Sequence, residues 1–234
     1  MLPTLPDELL REIVLLSARS LQEACYLLVV AKRVHMWTEG LVYSDVALHT
    51  ERQAHLFLSS LYPRPQFALR AVKSLRVDRN VQLYTAVQVL QICQGLTQLV
   101  LHALPLFPGC SSALLDALDG LPLISLSIYL SLLYNTTTVS LPALSVFRRV
   151  VDLEICDGWV LWGSTLHLER LQQLTHLIVR FSTQRTQPAF IRLILHNCES
   201  LQVITLRTNE APDVVHDFLQ RANLLDRRIV ILGE

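Results

Sequence analysis

The sequence is short of glycine, of net charge and of closely spaced cysteine. Its 234 residues include seven glycines. None forms the GxGxxG or GxxxxGK loop that wraps a phosphate, so a nucleotide-binding doubly wound fold has no footing. Charged residues make up 17%, and 20 Lys+Arg against 20 Asp+Glu leave no formal net charge. A polyelectrolyte role is thereby excluded, and binding to nucleic acid or an anionic membrane would need a local basic face. The five cysteines, Cys25, Cys93, Cys110, Cys156 and Cys198, are scattered and form no CxxC pair. That suits reduced thiols in a cytoplasmic or nuclear protein rather than a disulfide framework.

Long apolar runs are missing too. The most apolar stretch, Leu121 to Tyr134, carries Pro122 and three serines and is too short to span a bilayer. Acids at positions 7, 8 and 12 interrupt the N-terminal segment, which is therefore not read as a signal peptide. The sequon Asn135-Thr136-Thr137 is read as chance. The eight histidines do not cluster. His196 and Cys198 are the only close His/Cys pair, too few ligands for a zinc site. With no GxSxG, HExxH or Cys/His/Asn arrangement either, no metal, no cofactor and no enzymatic activity are expected. Asp152 and Glu154 put two carboxylates on one strand face, but no cleft or metal partner accompanies them to make an acid–base pair.

What the chain has in excess is leucine, 49 of 234 residues, within a 51% hydrophobic composition of mean hydropathy +0.38. So apolar a chain offsets the entropy of ordering, which excludes disorder. A compact chain of this size buries roughly 70% of its unfolded surface, so a substantial core is available.

The leucines are periodic. The pattern apolar-x-x-apolar-x-apolar recurs at Val72/Leu75/Val77, Leu96/Leu99/Leu101, Leu123/Leu126/Ile128, Val150/Leu153/Ile155, Leu174/Leu177/Val179 and Leu201/Ile204/Leu206. A partial copy closes at Ile229/Ile231. The middle members are separated by 24, 27, 27, 24, 27 and 25 residues, a regularity that a leucine-rich composition alone does not produce. Each copy reads as a short strand with alternating faces. Helical segments are expected between them at Thr85–Gln94, Ser112–Leu118, Ala189–Leu195 and from Ala211-Pro212-Asp213 onward. The resulting expectation is an α/β fold over residues 70–234. This strand-plus-helix period resembles leucine-rich repeats, which implies a curved solenoid with a parallel sheet on its concave side. The segment 130–149 and the loop from Asp157 to Thr165, with Trp159 and Trp162, fit no tidy unit.

Residues 1–49 break the period and read as all helix. Pro6 with Asp7 and Glu8 marks a helix start. Leu9, Leu10, Ile13, Val14 and Leu16 form its apolar stripe. Ser20 followed by Glu23 is a capping box opening a second helix through Val30, and a third holds Val34, Trp37 and Leu41. Residues 50–69, with Pro63 and Pro65, read as a helix followed by a connector.

The N-terminal motif Leu5-Pro6-x-Glu8-Leu9-Leu10-x-x-Ile13, followed by Val30-Ala31-Lys32-Arg33 and Trp37, resembles an F-box; Ala31 stands where serine is more usual. The resemblance implies a three-helix module that packs against the Skp-family adaptor and, through it, a cullin of a ubiquitin ligase. On this reading Leu5, Pro6, Leu9, Leu10 and Ile13 meet the adaptor, with Val34 and Trp37 at or beneath that surface. A core position docking the helices onto the repeats is the competing assignment for Trp37. By strand alternation the outward row offered to a protein substrate includes Arg76, His102, Tyr129, Asp152, Glu154, His176, Arg180 and Arg207. It runs from mixed polar through an acidic pair to basic. A second reading makes the helices a cap on the first repeat of an adaptor-independent interaction scaffold.

Overall fold

The computed structural model describes residues 5–18, 20–103, 112–134, 140–158 and 166–233. Cys110, Trp159, Trp162 and the sequon at Asn135 lie outside them. Three helices open the chain: α1 (Asp7–Ser17), α2 (Leu21–Leu27) and α3 (Lys32–Val42). Pro6 occupies the N-cap of α1, and Asp7 and Glu8 fill its first turn, where carboxylates complement the helix dipole. The capping box of α2 is present in full. Ser20 Oγ accepts from the Glu23 amide at 3.2 Å, and the Ser20 amide donates back to Glu23 Oε2 at 3.0 Å. The second helix stops at Leu27 rather than reaching Val30, because adjacent β-branched Val29 and Val30 disfavour helix.

Among the described residues eight strands follow, each parallel to the next and in sequence order: β1 (Asp45–Leu48), β2 (Ser74–Val77), β3 (Gln98–Leu101), β4 (Ser125–Ile128), β5 (Asp152–Gly158), β6 (His176–Arg180), β7 (Val203–Thr208) and β8 (Ile229–Gly233). The repeating pattern is the register. Leu75, Leu99, Leu126, Leu153, Leu177, Ile204 and Ile229 are successive Cα partners across the sheet.

Strand β1 was not anticipated within residues 1–49, which are therefore not all helix. Tyr43/Val46/Leu48 is a further copy of the pattern with tyrosine in first place, and Val46 pairs with Leu75. The connector expected before residue 70 is also helical. After α4 (Glu51–Leu61) a short turn leads into α5 (Pro65–Ala71), because a proline at the first helical position already has the required φ and gives up an amide that has no partner there.

The remaining crossovers carry α6 (Leu83–Ile92), α7 (Ser112–Asp119), α8 (Pro188–Asn197) and α9 (Pro212–Arg221). Among the described residues, the β4–β5 crossover carries 3-10 turns at Leu130–Leu132, Leu141–Ala143 and Ser145–Arg148, and the β5–β6 crossover one at Leu168–Arg170. The inward strand positions, such as Leu75, Val77, Leu99 and Leu101, are buried with Ala54, Leu90, Leu114, Ile191 and Val215 of the helices in one continuous core. The opposite strand face holds Arg76, Gln98, Asp152, Glu154, Arg180 and Arg207 among apolar Val100, Ile178 and Val203, with Ser127 and Cys156 buried within it.

Candidate functional site

Two surfaces carry the residues singled out from the sequence. The first is the helical N-terminus. The apolar stripe of α1 is divided in two: Leu10, Val14 and Leu15 are half-buried on the side packed against α3. Leu5, Leu9, Ile13 and Leu16, at helical spacing along the other side, are 55%, 48%, 52% and 70% exposed. Pro6 is exposed, while Val34 and Trp37 are half-buried in α3. No residue of α1 is fully buried. The ion pair that joins it to α3, Arg33 Nη1 to Asp7 Oδ1 at 2.6 Å, lies in solvent, where such pairs contribute little. Tyr26, Val29, Val30 and Met36 add further exposed apolar area.

The helices join the sheet through α3. Glu39 is paired with Arg64 at 2.6 Å. The Tyr43 ring lies against Phe57 and, edge-on, against Phe67. Residues from α3 to α5 thus fasten together around the start of β1.

The second surface is the polar strand row. Asp152 and His176 are register partners with their side chains 2.9 Å apart. Glu154 is held between strands: its Oε2 accepts from Ser127 Oγ at 2.7 Å, and its Oε1 pairs with Arg207. Ser127 Oγ and Cys156 Sγ each lie 3.3 Å from His102 Nε2 and 3.4 Å from one another. The Tyr129 ring packs edge-on against His102, and its hydroxyl accepts from Arg79 at 2.9 Å. The structure therefore joins His102, Tyr129, Glu154 and Arg207 around one cavity of about 170 Å³, which Arg180 also lines. Arg76 is exposed elsewhere on the row, and Asp152 with His176 lies outside that lining.

Cys156 and Ser127, outward by strand alternation but not singled out as site residues, belong to this network, as does Arg79, which the sequence did not point to. A signal was present, since His102, Tyr129 and Cys156 follow each other at the repeat interval of 27. The β5 register shifts between Ile155 and Gly158. Asp157, expected to open a loop, instead lies in that irregularity with its carboxylate buried against the Leu130 and Ser131 amides. Burial pushes the Asp157 carboxyl up, against the pull of those hydrogen bonds.

Burial also pushes the Cys156 thiol up to about 11. His102 is shifted down by its own desolvation, with Glu154 opposing. At neutral pH the pair is thus a protonated thiol beside a neutral imidazole, a hydrogen-bonding unit rather than a thiolate nucleophile. Cys93 and Cys198 are likewise buried free thiols, and Cys25 is an exposed one. Among the described residues no cluster of three or more His, Cys, Asp or Glu could hold a metal ion, and no helix is long and apolar enough to cross a membrane. No protein-family model and no curated protein matches the chain.

Proposed function

We propose that the chain is a substrate-recruiting F-box subunit of a cullin–RING ubiquitin ligase. The α1–α3 helices pack against a Skp-family adaptor, and the parallel sheet with its helices is a leucine-rich-repeat solenoid that presents a protein substrate. The single observation carrying this reading is the ridge Leu5, Leu9, Ile13 and Leu16, open to solvent along the whole of α1. An apolar helix edge of that length has no reason to face water unless a partner covers it, and an amphipathic helix laid into another protein's groove is a common way to do so. The polar row supplies the other half of the reading: a face where Asp152 and Glu154 stand beside His176 and Arg207 suits a protein ligand of mixed charge. On this proposal the chain works without catalysis, cofactor, nucleic acid or membrane, in the cytoplasm or nucleus.

The test is co-expression with a Skp-family adaptor. The expected result is a soluble 1:1 complex, lost on combining Leu5→Ala, Pro6→Ala and Leu9→Ala while far-UV circular dichroism and melting temperature stay unchanged. A chain that is monodisperse alone and ignores the adaptor overturns the proposal. The adaptor-independent scaffold would then hold, a reading favoured by the way Glu39, Arg64 and Tyr43 fasten α3 over the start of β1.

A further inference from the structure

Among the described residues no strand lies beyond β8. The Ile204 amide donates to Arg228 O at 2.8 Å, and Ile204 is the register partner of Ile229. In a parallel ladder that phase turns the backbone groups of Val230 and Leu232 towards β7 and those of Ile229, Ile231 and Gly233 outward. The turn before the strand takes the outward Ile229 amide, which donates to Asp226 O at 3.0 Å. The Ile229 carbonyl, both groups of Ile231 and the Gly233 amide face the open side.

Edge strands are ordinarily guarded by charge, proline, a bulge or a covering element. β8 carries no charge and no proline, and its register with β7 is unbroken. Val230 and Leu232 are exposed on one face. On the other, Ile229 and Ile231 are half-buried, whereas Ile204 and Leu206 beside them in β7 are fully enclosed. Aliphatic surface is therefore open on both faces of one edge. The opposite margin differs: β1 is four residues long, begins with Asp45 and lies against α3.

The outward groups of β8 are symmetric about Ile231. A two-fold axis there sets Ile231 against its own copy and Ile229 against Gly233. The Ile231 groups exchange two hydrogen bonds, and each Gly233 amide donates to the opposing Ile229 carbonyl. The same operation brings Val230 against Leu232 of the other copy, in the closely spaced positions of an antiparallel pair. With no charge on the strand, no charge meets its like. An unrelated peptide would satisfy the hydrogen bonds alone, whereas a second β8 also brings matching aliphatic side chains.

We propose that the chain forms a two-fold dimer by antiparallel pairing of β8 with β8 of a second copy, making one continuous sheet of the two. The interface uses the same patch on both copies and is closed. A strand of five residues spans about 17 Å. That edge falls short of the roughly 800 Å² per partner of a standard stable complex, so the dimer is weak and reversible. The pairing lies at the opposite margin of the sheet from α3 and does not rest on the function proposed above.

The experiment is analytical ultracentrifugation of the full chain over a wide range of concentration. A monomer–dimer equilibrium that stops at two copies is expected. Val230→Lys combined with Leu232→Lys sets ammonium against ammonium twice across the axis and raises the dissociation constant at least tenfold. Val230→Glu combined with Leu232→Lys sets carboxylate against ammonium instead and restores the dimer, the more so at low salt. Circular dichroism checks that each variant keeps its fold. If the first does not, Ile231→Pro takes its place, since it removes the outward amide at the axis and no bond to β7. A monomer at every concentration, an assembly that grows beyond two copies, or equal dissociation constants for the two charge variants overturns the proposal. Adaptor capture by α1 is a separate measurement, so either result can fail without the other.

Discussion

His102 is the residue on which the polar row turns. It sits between Ser127 and Cys156 on one side and the Tyr129 ring on the other. Desolvation lowers its pKa below the ordinary 6.5, an effect that Glu154 opposes and Arg79 reinforces. A base whose folded pKa is depressed leaves the native state reluctant to take the proton that the unfolded chain accepts. Its contribution is complete above about 6.5, falls as the pH drops from there toward the folded value, and levels off below it. The urea midpoint should therefore decline between pH 7.5 and pH 5.5, and His102→Gln should make that decline shallower. An identical slope in the variant would place the acid sensitivity elsewhere. The 27-residue interval puts His102, Tyr129 and Cys156 in one row, but which of their atoms meet depends on side-chain packing that spacing does not give. The contacts join side chains 25 to 54 residues apart, and the register shift in β5 that admits Asp157 leaves no mark on the leucine period.

At the scale of elements, the turn between α6 and β3 is fixed by Gly95. A Cβ there would strike the Leu69 carbonyl of α5, whose carbon would lie 2.9 Å away. Lys73 bridges the same two segments, donating to Leu69 O at 3.3 Å and Gly95 O at 3.4 Å. Backbone cannot swing aside as a flexible side chain does, so Gly95→Ala should cost about 3 kcal/mol, the upper part of the range for overpacking. Gly40, inside α3, is the control: its added Cβ meets nothing within 4 Å, and Gly40→Ala should stabilise by about 0.5–1 kcal/mol. Chemical denaturation of the two variants checks both signs. Strand positions were legible because one apolar pattern recurs, and α2 because Ser20 and Glu23 stand three apart. Strand β1 escaped because Tyr43 takes the place of an aliphatic residue, and α5 because Pro63 and Pro65 suggest a break where one of them begins a helix. At the N-terminal surface, composition marked α1 as apolar, but which half of the stripe stays outside depended on how α3 packs.

For the whole molecule, strand order and chain order coincide, so each interior strand is held by the strand before it and the one after it. The two ends differ. The β1 side carries α3, Tyr43 and the Glu39–Arg64 pair. At the other end Val230 and Leu232 of β8 are 46% and 45% exposed. Local opening follows sparse burial. Amide hydrogen exchange should accordingly be slowest in β3 to β6, faster in β8, and fastest in α1, which buries no residue of its own. Protection in β8 equal to that in β4 would contradict this gradient.

The one-after-another ladder has a consequence for how such a chain can change in length. Cutting out Asp152 to Thr175 would bring His176 directly behind Val151, with β4 free to meet β6 in the frame it now offers β5. Duplicating the same stretch would add a rung in the same way. The rungs already differ by up to three residues, 24 against 27, so a few residues more or fewer are absorbed in the crossovers, whereas a single residue gained or lost inside a strand would set leucines against the polar row.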